Sequence, residues 1–261
     1  MGELAAIARR QPSWVRHVVF ALCFFGAWEV YARYLDEPVL LPGPTAVLAA
    51  LVDITLGGQL LPALFESLQL LAIGFASATA LGFVLGVVVG RYRVADRTIG
   101  PYFYGLYALP VVALVPLVLV WFGFGLMGRV IVVFLAAFFP ILINTYTGVR
   151  DAPSDLIEVA RSFGVDRELV LLRRVVVPSA VPFIMAGVRL GIGRAVVGMA
   201  IAEVYLRLGG IGALIVQYGA VFATDYLLAA IVPLPLLGIG LTKLFQRIED
   251  RFQYWRVQTA A

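Results

Sequence analysis

The densest gathering of ionisable side chains lies in DLIEVARSFGVDRELVLLRRVVVP, residues 155–178, where Asp155, Glu158, Arg161, Asp166, Arg167, Glu168, Arg173 and Arg174 stand between apolar runs. Alternating acids and bases on a short amphipathic stretch serve ion pairing and docking rather than bond-making. The residues that make or break bonds are scarce elsewhere. His17 is the single histidine, Cys23 the single cysteine and Lys243 the single lysine, which leaves no CxxC metal site, no internal disulfide and little material for a nucleophile–base pair. Lys243, in IGLTKLF, is not part of a glycine-rich phosphate loop, so the chain has no ATP site of the P-loop kind. No catalytic residue and no metal ligand is assigned.

Four further ionisable residues sit inside or at the end of apolar blocks: Glu29, Arg189, Arg194 and Glu203. Charge in hydrocarbon is costly, so each is a functional candidate. Arg189 and Arg194 are five apart, about 140° around a helix, and cannot both face one narrow path. Arg194 is divided between a role in a solute path and a structural ion pair, with the other arginine snorkelling or pairing with a neighbouring helix. Glu29, beside Trp28, reads as structural.

The elements that must position these residues are membrane helices. The chain of 261 residues is 62% hydrophobic and 14% charged, with a mean hydropathy of +0.96, and its apolar residues fall in blocks long enough to cross a bilayer. Six spans are predicted, near 15–33, 68–90, 101–122, 129–148, 182–203 and 226–245. The fold class is therefore all-α and polytopic, one transmembrane domain over residues 1–261. The first block resembles a signal peptide but runs on into WEVYARYL without a small-residue cleavage pattern, so it is kept as a span.

Arginine placement predicts the orientation. Arg9, Arg10 and Arg16 precede the first span; Arg91, Arg93 and Arg97 join the second to the third; Arg150, Arg161, Arg167, Arg173 and Arg174 join the fourth to the fifth; Lys243, Arg247, Arg251 and Arg256 close the chain. The other connections carry only Arg33, Arg129 and Arg207, so both termini and the loop at about 150–181 are expected in the cytoplasm. The net charge of +4 thus reports topology and gives no support to nucleic-acid binding.

Local patterns add detail. Gly74, Ala78, Gly82, Gly86 and Gly90 recur every four residues, a small-residue stripe for close helix packing. Pro110 and Pro116 should kink the third span. LPGPTAVLAALV predicts a short outer helix entered at Pro44. In the charged loop, Ser154 or Asp155 with Glu158 suits a capping box, Leu156, Val159, Ala160 and Phe163 share a face, Gly164 suits a corner, and Asp166 starts a second helix ending at Pro178.

Glu158, Val159, Ala160, then Gly164, then VVVP ending at Pro178, resemble the cytoplasmic signature of the permease subunits of binding-protein-dependent ABC importers. Val159 stands for the middle alanine of that signature, and Pro178 lies one residue further from Gly164 than in the family pattern. LPGPTAVLAAL, SLQLLAIGF, ALVPLVLVWFGFG, GVRLGIGRAVVGMAIAEV and GGIGALI are similar to the nitrate, sulfonate, taurine and bicarbonate branch, with Leu70 where that branch carries an arginine.

The resemblance implies a type I ABC importer permease in a prokaryotic cytoplasmic membrane. It implies two ATPase subunits carrying ATP and Mg, a second permease copy, and an extracytoplasmic binding protein that delivers a small anionic solute of sulfonate, taurine, nitrate, bicarbonate or aromatic-acid type. Glu158, Val159, Ala160, Arg161, Phe163 and Gly164 would couple to the ATPase; Trp121, Phe122, Arg194 and Glu203 would line the path or gate. The rival reading is a proton-coupled secondary transporter using Glu29 or Glu203, but no inverted repeat is visible in the spans.

Overall fold

In the computed structural model, residues 13–252 are described; Arg9, Arg10 and Arg256 of the basic pattern lie outside the described residues. The described backbone is helical: α1 (Ser13–Leu35), α2 (Pro44–Leu56), α3 (Leu60–Arg91), α4 (Arg93–Tyr107), α5 (Val111–Phe122), α6 (Leu126–Arg150), α7 (Ser154–Ser162), α8 (Glu168–Leu206), α9 (Gly210–Ala220), α10 (Thr224–Ile231) and α11 (Pro233–Phe252). Among the described residues, five runs are long and apolar enough to cross a membrane: Val15–Leu35, Leu60–Arg91, Leu126–Arg150, Glu168–Leu206 and Thr224–Glu249. A sixth exists only as the pair α4 and α5, bent by 102°.

That bend corrects the single kinked helix expected at 101–122. Pro110 brings no N–H to the helix and disfavours the helical conformation at Leu109, so α4 ends at Tyr107 and α5 restarts behind Pro110. Pro116, expected to kink the span, stays inside α5.

The chain packs as two compact units, one running to Leu61 with Leu214–Val232 added, the other formed by Pro62–Ala213 and the chain from Pro233. In the first unit, α2 is entered at Pro44 as expected, and its Val47, Ala50 and Ile54 pack with Leu60 and Ala229. At 13 residues it is about 20 Å long, too short to span. Tyr226 ties α10 to it by donating to Asp53 (2.8 Å).

α6 is the centre of the second unit. The small-residue stripe of α3 lies against it: a Cβ at Gly74 would sit 2.6 Å from the Cβ of Val133, and one at Gly86 would sit 2.6 Å from the Cβ of Thr145. α8 approaches α6 through its own small residues, with Gly187 against Asn144, Gly191 against Ile141 and Gly198 against Ala136. Lipid offers no hydrophobic drive between helices, so this backbone-close contact supplies the dispersion energy that holds α6 in place.

α8 departs from the expected pair of elements. It starts at Glu168 rather than Asp166, and it continues through Pro178 to Leu206 as one 39-residue helix. Leu172–Val176 is π-helical. A π turn takes up one more residue than an α turn, so the stretch just before Pro178 is wound more widely than the rest of the helix.

Candidate functional site

The charged loop folds as α7, a nine-residue helix with no buried residue. Its faces divide differently from the expected one. Ile157 and Ala160 turn inward against a core of Val87, Val149, Leu171, Val176 and Ala180, whereas Leu156, Val159 and Phe163 stand 50%, 53% and 84% exposed. The expected capping box is absent: Pro153 is the N-cap, Ser154 is the first helical residue and its hydroxyl meets Asp155 at 3.3 Å, so no side chain caps the helix. Pro153 is extended, with φ −57° and ψ 121°, and its ring fixes only the φ.

The exit is the predicted glycine corner. Gly164 has φ +82°, its N–H bonds the Arg161 carbonyl (2.9 Å) and the Val165 N–H bonds the Ala160 carbonyl (3.1 Å). Those two bonds are a Schellman motif, and the left-handed backbone is what glycine supplies there. Glu158 and Arg161 are exposed on the same helix.

Polar ties hold both ends of the loop. At the entry, Arg150 donates to Asp151 (3.1 Å) and to the Tyr146 hydroxyl (3.0 Å), lies 5.0 Å from the Tyr146 ring centre, and Tyr146 in turn donates to Asp96 of α4. At the exit, Arg91 at the end of α3 pairs with Glu168 at the start of α8. The loop is thereby fixed to α3, α4 and α6, not merely tethered.

The four residues expected at a path or gate are not gathered into one cluster. Trp121 and Phe122 end α5, edge to face at 6.5 Å and exposed, just before Gly123 with φ +76°. Arg194 is exposed on α8, with no ion pair or side-chain hydrogen bond among the described residues. Glu203, about 13 Å further along that helix, is fully buried. Arg189, the other candidate arginine, pairs with Glu249 of α11, and Glu29 is structural as expected: it accepts from Arg33 (2.8 Å) and caps α2 through the Thr45 N–H (3.1 Å) and hydroxyl (2.8 Å).

Glu203 belongs to a cap that the sequence did not disclose. Three successive N–H groups at the start of α9 are each taken by a side chain: Gly210 by Glu66, Ile211 by Ser67 and Gly212 by Glu203, all at 2.9 Å. Gly209 and Gly210 have φ +79° and +77°, and a Cβ on Gly210 would collide with the Glu203 carboxylate. Negative side chains at a helix N-terminus satisfy its orphan donors and its dipole. The available signal was GGIG following an acidic residue, but its partners Glu66 and Ser67 lie 144 residues away in sequence. Arg129 stands near Glu203 and donates to the Leu208 carbonyl.

The described residues form a multi-pass helical scaffold with an exposed, glycine-cornered loop helix. The chain belongs to the family described as binding-protein-dependent transport system inner membrane component, whose pattern matches residues 78–254. It is 35% identical over 234 residues to a putative ABC transporter permease protein of Methanocaldococcus jannaschii, covering 88% of this chain and 87% of that one. It is 29% identical over 252 residues to a putative aliphatic sulfonates transport permease protein of Bacillus subtilis, covering 95% and 90%. In fold it is similar to the structure titled inward facing conformations of the MetNI methionine ABC transporter, with a TM-score of 0.60, 19% identity, and coverage of 72% of this chain and 93% of that one.

Proposed function

We propose that the chain is the membrane-spanning subunit of an ATP-driven importer, and that α7 is the element through which a separate ATPase drives it. The observation that carries this reading is the row Leu156, Val159 and Phe163, exposed at spacings of three and four on a helix whose two ends are fixed to the bundle. Such a row is the pattern by which an amphipathic helix seats in a groove, and Glu158 and Arg161 beside it set the register. ATP and Mg belong to two partner ATPase subunits. A second permease copy completes the path, and a binding protein outside delivers a small anionic solute, of the sulfonate, taurine, nitrate, bicarbonate or aromatic-acid kind; the aliphatic-sulfonate relative supports that class.

Alternating access then needs no covalent step in this chain. Approach of the two ATPase subunits moves both copies of α7, and the ties Arg91–Glu168 and Asp96–Tyr146–Arg150 pass that movement to α3, α4 and α6. ATP shifts the equilibrium only through its differential binding to the two states. The termini and the loop face the cytoplasm of a prokaryotic cell, and residues 1–261 act as one permease domain.

The deciding experiment is Phe163→Glu in the assembled complex. The carboxylate replaces the most exposed apolar contact, so the ATPase should no longer co-purify while the permease still inserts. Retention of the ATPase with normal substrate-stimulated turnover would remove α7 from the coupling role.

A further inference from the structure

A cleft of about 560 Å³ opens where the first turns of α3, the start of α6 and the end of α8 converge, lined by Glu66, Gln69, Leu70, Arg129, Arg207 and Gly209 among others. Its volume is that of a small-molecule site. Two guanidinium groups border it. Arg207 is exposed and, among the described residues, pairs with no carboxylate; Arg129 spends one Nη on the Leu208 carbonyl, and its buried Nε has no acceptor. The cleft's own carboxylate, Glu66, is engaged by the Gly210 N–H through one oxygen, and the Glu203 charge near Arg129 is buried beneath the cap. The wall therefore presents a free guanidinium and a fixed one, with the Gln69 amide beside them and an apolar floor from Leu70, Ile73 and Leu126.

We propose that this cleft binds the oxyanion head of a small molecule, a sulfonate or carboxylate, with Arg207 and Arg129 as its donors. Guanidinium is suited to planar, forked recognition of such oxygens, and it holds its charge at every physiological pH. The apolar floor takes a short carbon chain, and the second oxygen of Glu66 can receive a donor at the far end of the solute. The site deepens the anionic-solute reading, because it gives the solute a stopping point at the chain's own α3, α6 and α8.

The test is thiol labelling at Gln69→Cys in a Cys23→Ala background, with the full chain in phosphatidylcholine nanodiscs. Paired methanethiosulfonate reagents are compared, one with a sulfonate tail and one with a trimethylammonium tail. Relative to each reagent's rate with a free thiol in solution, the sulfonate reagent should be favoured about tenfold, the low end of what a focused field does to local ion concentration. Arg207→Gln should abolish the preference and Arg207→Lys should keep it. Free ethanesulfonate should slow the reaction. If anionic phosphatidylglycerol slows it and ethanesulfonate does not, the oxyanion recognised is a lipid headgroup and the solute assignment falls. Equal normalised rates for the two reagents, a preference untouched by Arg207→Gln, or slowing by neither anion overturns the site. The labelling needs neither ATPase nor binding protein, so these negative results leave the importer reading intact.

Discussion

Arg91, the last residue of α3, donates its Nε–H to Glu168, the first residue of α8, across 77 residues of sequence. The pair closes the loop that carries α7, and its carboxyl is about two-fifths exposed. Solvent screening therefore limits its stabilisation to about 1 kcal/mol or less, too little to hold the fold and enough to set an angle between two helix ends.

Glu168→Gln should accordingly leave insertion, melting and ATPase co-purification near those of the parent. Substrate-stimulated ATP turnover should fall several-fold, with basal turnover unchanged. The informative comparison is stimulated against basal rate in reconstituted complex. An equal fall in both would assign the pair to plain stability.

The glycine corner gives a graded test. Gly164 has φ +82° with open space where a Cβ would go, so Gly164→Ala meets backbone strain alone, roughly 1 kcal/mol. Gly164→Asp meets the same strain and also puts a charge beside the exposed Phe163. Co-purification of the ATPase should weaken slightly for alanine and strongly for aspartate. Equal behaviour of the two variants would show that the corner, not the apolar row, is what the partner needs.

How far the sequence could be read follows from the range of each interaction. The stripe Gly74 to Gly90 was legible because its period of four lies within one helix, and its packing against α6 needs no knowledge of α6 beyond its presence. Gly164 was legible for the same reason, since a Schellman exit is local. The break at Leu109 and Pro110 was half legible: proline marks the place, but a 102° bend rather than a kink depends on what α5 packs against, namely Val115 and Val118 with Val132, Ala202 and Leu206. Pro178 misled as well: the helix runs on through it to Leu206, behind a π-helical stretch. The cap on α9 was beyond reach. Glu66 and Ser67 are exposed-helix residue types with no periodic signature, and only the folded chain brings them to Gly210 and Ile211.

The contact of α3 with α6 predicts an intolerant site. At Gly86 a Cβ would lie 2.6 Å from the Cβ of Thr145 and 2.9 Å from the Leu142 carbonyl, and neither is the flexible end of a long side chain. Gly86→Val should therefore destabilise by roughly 1–3 kcal/mol or more, seen as lost monodispersity or a lowered melting midpoint in detergent. Gly238→Val, where nothing lies within 4 Å, should do much less. A similar loss at both positions would mean that helix propensity, not the α3–α6 approach, sets the outcome.

The buried cap separates two roles for Glu203. Glu203→Gln keeps an oxygen to accept the Gly212 N–H, whereas Glu203→Ala leaves that donor and the cap's interior unsatisfied, about 1–3 kcal/mol. A structural cap requires that the glutamine variant fold and transport, with the alanine variant impaired in yield. A gate or path role for the charge requires that the glutamine variant fold but fail in uptake. Uptake and yield measured on the same preparations distinguish the two.

Arg194 is exposed on α8, and its surroundings sharpen what its loss should do. Five residues earlier, Arg189 pairs with Glu249, a mostly buried carboxylate. Arg194 has no such partner among the described residues, and its neighbours Ala195, Val196 and Gly198 carry the packing of that turn. Arg194→Ala should therefore cost the fold little, within about 0.5 kcal/mol for an exposed position. If Arg194 guides an anion, its alanine variant should lose most solute uptake with assembly and basal ATP turnover intact, and Arg194→Lys should restore a part of it because charge persists without the guanidinium fork. Uptake equal to the parent in Arg194→Ala would take this residue off the path, and loss of the assembled complex would make it a structural residue after all.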